Sequence, residues 1–381
     1  MKKEIYITAL HLGHGGVEMA IALMSNAFVK KGYGVTILSL YDLGKPAYDI
    51  LPEVKIEYLT DVRPNKEEFY SAIKSKNPFR ILKEGLYSMK VLRLKKTEMI
   101  KRIKQIKDGT VISTRNEHSV FLSKHGDENV LKIAQLHHDH CFEKKLLSDI
   151  KNRYANIDYF ALLTDRLTEE ITEMMSNNKR TKCVTVENFL PKEDVEIKLD
   201  KKQKTVVAVG RLHAVKGFDR LLEIWKETSK SYPDWKLMII GDGEEKERLN
   251  ELVNKLEIGD SVTFTGALSH DEVLGAMRDA SIYAMTSHTE GFPFVLIEAM
   301  SSGLPAIAFD VRVGPRAIIE DGKNGTLVED SDNKAFGKAL ERLMSNDEER
   351  FEYSRKALER AEDFTEEKIV KKWISLFERE V

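Results

Sequence analysis

From one end of this chain to the other, short apolar runs rich in β-branched residues alternate with stretches of helical periodicity. Strand, helix and strand in succession need a crossover connection, so the sheets must be parallel and must carry helices on both faces. In the first half the expected strands are 4–9, 35–40, 55–59, 110–113, 131–136 and 159–163, with a helix over 17–30. In the second half they are 205–209, 236–240, 261–264, 282–284, 306–309 and 326–328, with helices over 218–229, 244–256, 270–279 and 294–302. The expected class is α/β, with two doubly wound, Rossmann-like domains, and 381 residues is the length of two such domains. The composition shift at 188–204, where Pro191 precedes a charged and weakly periodic stretch, marks the linker. Two such domains in one chain leave a deep cleft between the carboxyl ends of their strands, where ligands of open α/β sheets bind.

Composition narrows the class by exclusion. With 42% hydrophobic and 32% charged residues the chain can build cores and is too apolar to be disordered. A net charge of -2 gives no reason to expect nucleic acid as a partner. Cys141 and Cys183 are too few for a disulfide framework, and no Cys/His spacing suits zinc, so a reducing compartment is expected. Met1-Lys2-Lys3 carries the charge of a signal peptide, but the apolar stretch after Glu4 ends at His11 and is too short. No apolar run of about 18 residues exists to cross a membrane. The expected location is the cytoplasm, with peripheral attachment to the inner face of the membrane as the variant.

Four strand-to-helix turns carry candidate chemistry. The first strand ends in His11-Leu12-Gly13-His14-Gly15-Gly16, whose glycines let backbone approach a ligand at a helix start. The spacing is not that of a dinucleotide fingerprint, and a purely structural tight turn is the competing reading. Between strand and helix, Gly210-Arg211 and Lys216-Gly217 place two fixed cations suited to a diphosphate: Arg through parallel hydrogen bonds, Lys as a point charge. A solvated basic loop is the alternative.

The strongest local pattern is 286–300, where Glu290 precedes Gly291-Phe292-Pro293 and Glu298 follows about a turn into a helix. The amides of Gly291 and Phe292 can meet sugar hydroxyls, whereas Pro293 has no N–H to offer. Glu298 can accept from ribose hydroxyls, although an acidic first turn favoured by the helix dipole would look the same. Gln135-Leu136-His137-His138-Asp139-His140 is too compact for an orderly metal site, so no metal is expected and one imidazole, His137 before His138, is read as a sugar contact. Residues 63–107 read as a basic amphipathic helical region, either a solvated face or a surface for anionic lipid or a phosphate-bearing acceptor.

Taken together, Gly13 to Gly16, Gly210-Arg211 with Lys216-Gly217, Gly241-Asp242-Gly243, Phe264-Thr265-Gly266, and Glu290 with Glu298 resemble the motifs of the retaining GT-B glycosyltransferases, the family 4-like group related to sucrose and glycogen synthases. The resemblance spans nearly the whole chain. It implies an acceptor-binding domain over 1–190, a donor-binding domain over 191–364, and a last helix (366–380) within 365–381 that crosses back to the first domain through Trp373 and Phe377. It further implies Arg211, Lys216, Glu290 and His137 as catalytic residues, with Arg211 and Lys216 on the donor diphosphate and Glu290 on the donor sugar. Gly15, Gly16, Gly210, Leu268, Gly291, Phe292, Pro293 and Glu298 are implied as the rest of the donor site, Leu268 at the base and Glu298 at the ribose. The phrase Phe309-Asp310 to Gly314-Pro315-Arg316 is similar to that of bacterial enzymes that use UDP-sugars to build surface polysaccharides or decorate wall polymers.

The resulting expectation is a retaining, metal-independent hexosyl or N-acetylhexosaminyl transferase, without cofactor, acting from a UDP-sugar on a glycan or lipid-linked acceptor. Two other readings share the fold: a catalytically degenerate sugar-nucleotide-binding partner subunit, and a UDP-sugar epimerase. A phosphorylase would need a cofactor-binding lysine for which the sequence offers no candidate.

Overall fold

The structure is a computed structural model describing residues 3–192 and 195–379. Met1 and Lys2, Glu193 and Asp194 within the expected linker, and Glu380 at the expected end of the last helix lie outside the described residues.

In the first unit the runs that read as strands form one parallel sheet: β1 (Glu4–Ala9), β2 (Gly34–Tyr41), β3 (Lys55–Thr60), β4 (Thr110–Ser113), β5 (Leu131–Leu136), β6 (Tyr159–Leu162) and β7 (Lys182–Thr185). Their order is β3-β2-β1-β4-β5-β6-β7, so the chain winds one way from β1 to β3 and the other way from β4. β1, β4 and β5 are covered on both faces, which is why they read as continuous apolar runs rather than alternating ones. The exception is β7, whose Lys-Cys-Val-Thr is an edge strand with half-buried residues and so has no such run.

A second parallel sheet holds β8 (Thr205–Val209), β9 (Lys236–Ile240), β10 (Val262–Gly266), β11 (Ile282–Met285), β12 (Ala306–Asp310) and β13 (Gly325–Glu329) in the order β10-β9-β8-β11-β12-β13. One side of it is packed by Trp225, Trp235, Phe309 and Phe336. In each sheet the strand order reverses once, between β1 and β4 and between β8 and β11, and such a reversal opens a crevice at the carboxyl ends of the strands.

The compact units are Met1–Leu162 with Thr168–Val186 and Val370–Val381, and Leu163–Leu167 with Glu187–Ile369. The boundary at 186/187 precedes the expected 190/191 for a physical reason. Asn188 Nδ2 donates to Phe292 O at 3.0 Å, and Leu190 N donates to Phe364 O while Glu366 N donates to Leu190 O. The start of the expected linker is thus bonded into the second unit. The last helix, Glu366–Glu378, supplies its end to the first unit, where Phe28 meets Trp373 and Phe377 with ring centroids 6.0 and 5.1 Å apart. Each such buried ring contributes roughly 1.5–3 kcal/mol. Among the described residues no helix is long and apolar enough to cross a membrane.

Candidate functional site

The charged residues read from the sequence, Arg211, Lys216, Glu290 and Glu298, all lie in the second unit, and the first unit holds the glycine turn and His137. In the second unit, backbone bonds tie the turns after β8, β9, β10 and β11 into one rim: Gly210 N to Ile240 O, Leu212 N to Asp242 O, Gly241 N to Gly266 O, and His288 N to Val215 O. The rim is tight enough to need glycine. At Gly217 (φ 62°) a Cβ would strike Thr286 O, and at Gly241 (φ 146°) it would strike Gly210 O.

This rim brings Lys216 onto Glu290, with Nζ to Oε1 at 2.7 Å and Glu290 mostly buried. Arg211, six residues from the end of that loop, is exposed and has no side-chain partner among the described residues. The two expected cations therefore differ: one neutralises an internal carboxylate and one is available to an incoming anion. Gly314 (φ 92°) passes within reach of Glu290 and Gly291, its Cβ position 3.0 Å from Glu290 Cβ. Gly291, Phe292 and Pro293 are buried at the entry to the helix Phe294–Ser301, on whose second turn Glu298 is also buried. His270 Nδ1 lies 3.8 Å from Glu298 Oε1. Tyr283 on β11 reports that the two carboxylates share one neighbourhood: burial first, then Glu290 and Glu298, hold its phenol well above the ordinary value. Leu268 is half-buried after β10, against the core that contains Phe292 and Leu296. Arg316 Nε donates to Asp310 Oδ1 at 3.0 Å, closing the turn after β12.

Arg220 holds this rim and was not anticipated. Buried in the helix Phe218–Ser231, it donates to Thr286 O at 2.6 Å, Ser287 O at 2.5 Å and Asp330 Oδ1 at 2.7 Å, and its guanidinium lies 4.0 Å from the Phe309 ring centroid. One signal was present: a cation in the first turn of a helix opposes the helix dipole and calls for a compensating partner.

In the first unit, Gly15 precedes the helix Gly16–Lys30, and a Cβ on Gly15 would collide with the Glu18 carboxylate. Glu18 is buried, accepts from Arg115 Nη2 at 3.2 Å, and lies 3.6 Å from His11 Nδ1. This pair joins the glycine turn after β1 to the end of β4 across 97 residues, beyond the reach of any local sequence pattern. His137 is half-buried and both its ring nitrogens are shielded from solvent without a hydrogen-bond partner, whereas His138 is exposed. Asp139 and His140 are engaged locally, accepting from Cys141 N and Phe142 N at 3.1 Å each, and His140 Nε2 lies 3.1 Å from Glu170. Among the described residues no group of three or more His, Cys, Asp and Glu side chains is gathered to hold a metal ion.

Burial lowers the His137 pKa to about 3, with smaller contributions from His138 and Arg115, and His118 falls to about 3 for the same leading reason. Each therefore binds fewer protons folded than unfolded below about pH 6.5, so the stability present above that pH is lost as pH falls toward 3. The expected slope is about 1.4 kcal/mol per pH unit for each histidine. His137→Gln should flatten the fall in Tm between about pH 6.5 and 5 by one proton's worth. Unchanged slopes in melting curves of the two proteins would show that His137 is solvated.

Comparison with known proteins decides the family. Residues 191–360 match the model for glycosyl transferases group 1. An uncharacterized glycosyltransferase of Haemophilus influenzae is 30% identical over 379 residues, which is 97% of this chain and 99% of that one. The chain belongs to the group 1 glycosyltransferases. This glycosyltransferase is also 40% identical over 173 residues, 45% of its length, to the amylovoran biosynthesis glycosyltransferase AmsD of Erwinia amylovora, of which it spans 48%. Among solved structures, S. aureus TarM in complex with fondaparinux, α-GlcNAc-glycerol and UDP superposes with a TM-score of 0.78 at 18% identity, over 99% of this chain and 100% of that one. The likeness is one of fold, and the fold is GT-B, built from two Rossmann-like units.

Proposed function

We propose that this glycosyltransferase moves a hexosyl or N-acetylhexosaminyl group from a UDP-sugar to a hydroxyl of a bacterial wall or surface glycan, with retention at the anomeric carbon and without a metal ion. The observation that carries the reading is the set of charges at the β8/β11 reversal: an Arg211 without a side-chain partner among the described residues, the Lys216–Glu290 pair and a buried Glu298. The surface-glycan assignment draws on AmsD, named for amylovoran biosynthesis, and the uridine assignment on the UDP in the TarM complex.

In this reading Arg211 meets the donor diphosphate and Glu298 the ribose, while Glu290 and the Gly291 and Phe292 amides meet the sugar. The bond from the anomeric carbon to the diphosphate oxygen breaks while the acceptor oxygen bonds on the same face. The acceptor proton passes to the departing phosphate oxygen. Charge grows on that diphosphate in the transition state, and the Arg211 guanidinium supplies the stabilisation that a metal would otherwise give. His137, kept neutral near neutral pH by burial, can bond a sugar hydroxyl without ligating anything.

Thermal melting with UDP, GDP and ADP, each with and without EDTA, tests the donor assignment. A ligand at about 100 times its Kd stabilises the native state by about 2.7 kcal/mol, and UDP alone should raise Tm by a readable margin whether or not EDTA is present. Selectivity for GDP or ADP, or loss of the UDP shift in EDTA, would overturn the assignment. Retention is read separately from the anomeric proton coupling of the product, which should match that of the donor.

A further inference from the structure

The region of 63–107 folds into a helix over Lys66–Lys74 and a 28-residue helix over Pro78–Gln105, started by the Asn77 side chain, which accepts from Phe79 N and Arg80 N. Asn65 fastens the two together, donating to Glu84 O and Oε2 at 3.1 and 2.9 Å and accepting from Ser88 Oγ at 2.9 Å. The long helix buries only Val91, Met99 and Ile103 fully. Its opposite face is the anomaly. Phe79, Leu82, Leu86 and Met89, at helical spacings of three, four and three, are between 54% and 84% exposed. Lys83, Lys90, Arg93 and Lys96 stand exposed among them.

The charge is one-sided. The long helix holds nine Lys and Arg against two Glu, and neither Glu is fully exposed: Glu84 is bonded to Asn65 and Glu98 lies 3.5 Å from Lys101. The exposed acids Glu67 and Glu68 sit on the shorter helix, in its first turn. Toward the C-terminal end the stripe runs by Leu92 into a groove of about 500 Å³ with an apolar floor that includes Val120 and Phe121, where the carboxylates Glu117 and Asp149 are paired with Lys95 and Arg153 and the cations Lys96, Lys124 and Lys145 are in excess. His125 in that groove is held below its ordinary pKa, by burial first and then by Lys104, Lys124 and Lys96.

A contiguous apolar stripe of this kind is seldom left in water on a soluble protein, and whatever covers it must be apolar and anionic together. A second copy of the chain would set Lys83, Lys90 and Arg93 against themselves, which like-charge repulsion opposes. An anionic bilayer satisfies both demands, taking the aliphatic and aromatic side chains into its interface while its headgroups meet the cations. We propose that the exposed face of Pro78–Gln105 is a docking surface for an anionic lipid bilayer. The inference is independent of the donor and acceptor assigned above.

The test uses the full chain with phosphatidylcholine vesicles, pure or containing about 30% phosphatidylglycerol, in a sedimentation assay. Binding to the anionic vesicles is expected to be on the order of 100-fold tighter than to neutral ones, and to weaken sharply between about 0.1 and 0.5 M salt. Lys83→Glu/Lys90→Glu/Arg93→Glu should cost on the order of 100-fold, and Leu82→Ser/Leu86→Ser/Met89→Ser at least about tenfold. Both variants should keep the wild-type Tm, since every replaced side chain is exposed. Equal binding to both vesicles, or variants that bind like wild type, overturns the proposal. So does a failure to bind either vesicle, which leaves a protein as the covering partner. A concentration-dependent dimer abolished by the serine variant overturns it in favour of a second copy.

Discussion

Arg211→Ala is expected to lower kcat by roughly 10²–10³-fold and to leave Tm where it is. The two halves of that expectation have one cause. Arg211 is exposed on the turn after β8 and its side chain has no partner among the described residues, so the folded protein without donor gains nothing from its charge. When a diphosphate is leaving, the same guanidinium faces growing negative charge, and an interaction that strengthens then favours the transition state over the bound donor. Arg211→Lys should recover part of the loss, because the charge is kept and the planar fork is not. The measurement is the initial rate at saturating UDP-sugar beside a melting curve. An unchanged kcat in Arg211→Ala removes the residue from the reaction, and a large fall in Tm would show that it serves the fold instead.

Most of the fold was legible because parallel strands covered on both faces are written as unbroken apolar runs, and these stand out without any knowledge of their neighbours. The edge strand β7 was not legible, since Lys182–Thr185 is half-buried and its pattern resembles a loop. Nor was the unit boundary, because what attaches Asn188 and Leu190 to the second unit are hydrogen bonds to Phe292 and Phe364, more than a hundred residues away. The candidate site divides in the same way. Arg211, Lys216, Glu290 and Glu298 were visible as charges at glycine turns, a local and unusual arrangement. That Lys216 closes on Glu290 was not visible, and neither was the Glu18–Arg115 pair, because both depend on which turns the sheet order sets side by side. His137 and His138 could be distinguished only by burial, which two adjacent imidazoles in sequence do not reveal.

Arg220 yields the second large effect, and one of opposite character. Arg220→Ala is expected to destabilise the second unit by about 3 kcal/mol and to depress kcat with it. Its guanidinium reaches the Thr286 and Ser287 carbonyls at the end of β11 and stacks on Phe309, so its removal takes charged donors from two buried residues and opens a cavity beside the ring. The contact to Asp330 adds little to that figure, because Asp330 is well exposed and water replaces the lost partner. The next residues along the chain lead to Glu290, so the carboxylate that Lys216 engages loses its fixed position along with the rim. Arg220→Lys keeps the charge but has neither a fork to span two carbonyls nor a plane to stack, and should resemble the alanine variant in kcat while recovering part of the Tm. Melting curves and donor-saturated rates on the same preparations separate this residue from Arg211: coupled losses mark a side chain that acts by holding the rim in place, and a normal Tm in Arg220→Ala would show that the rim stands without it.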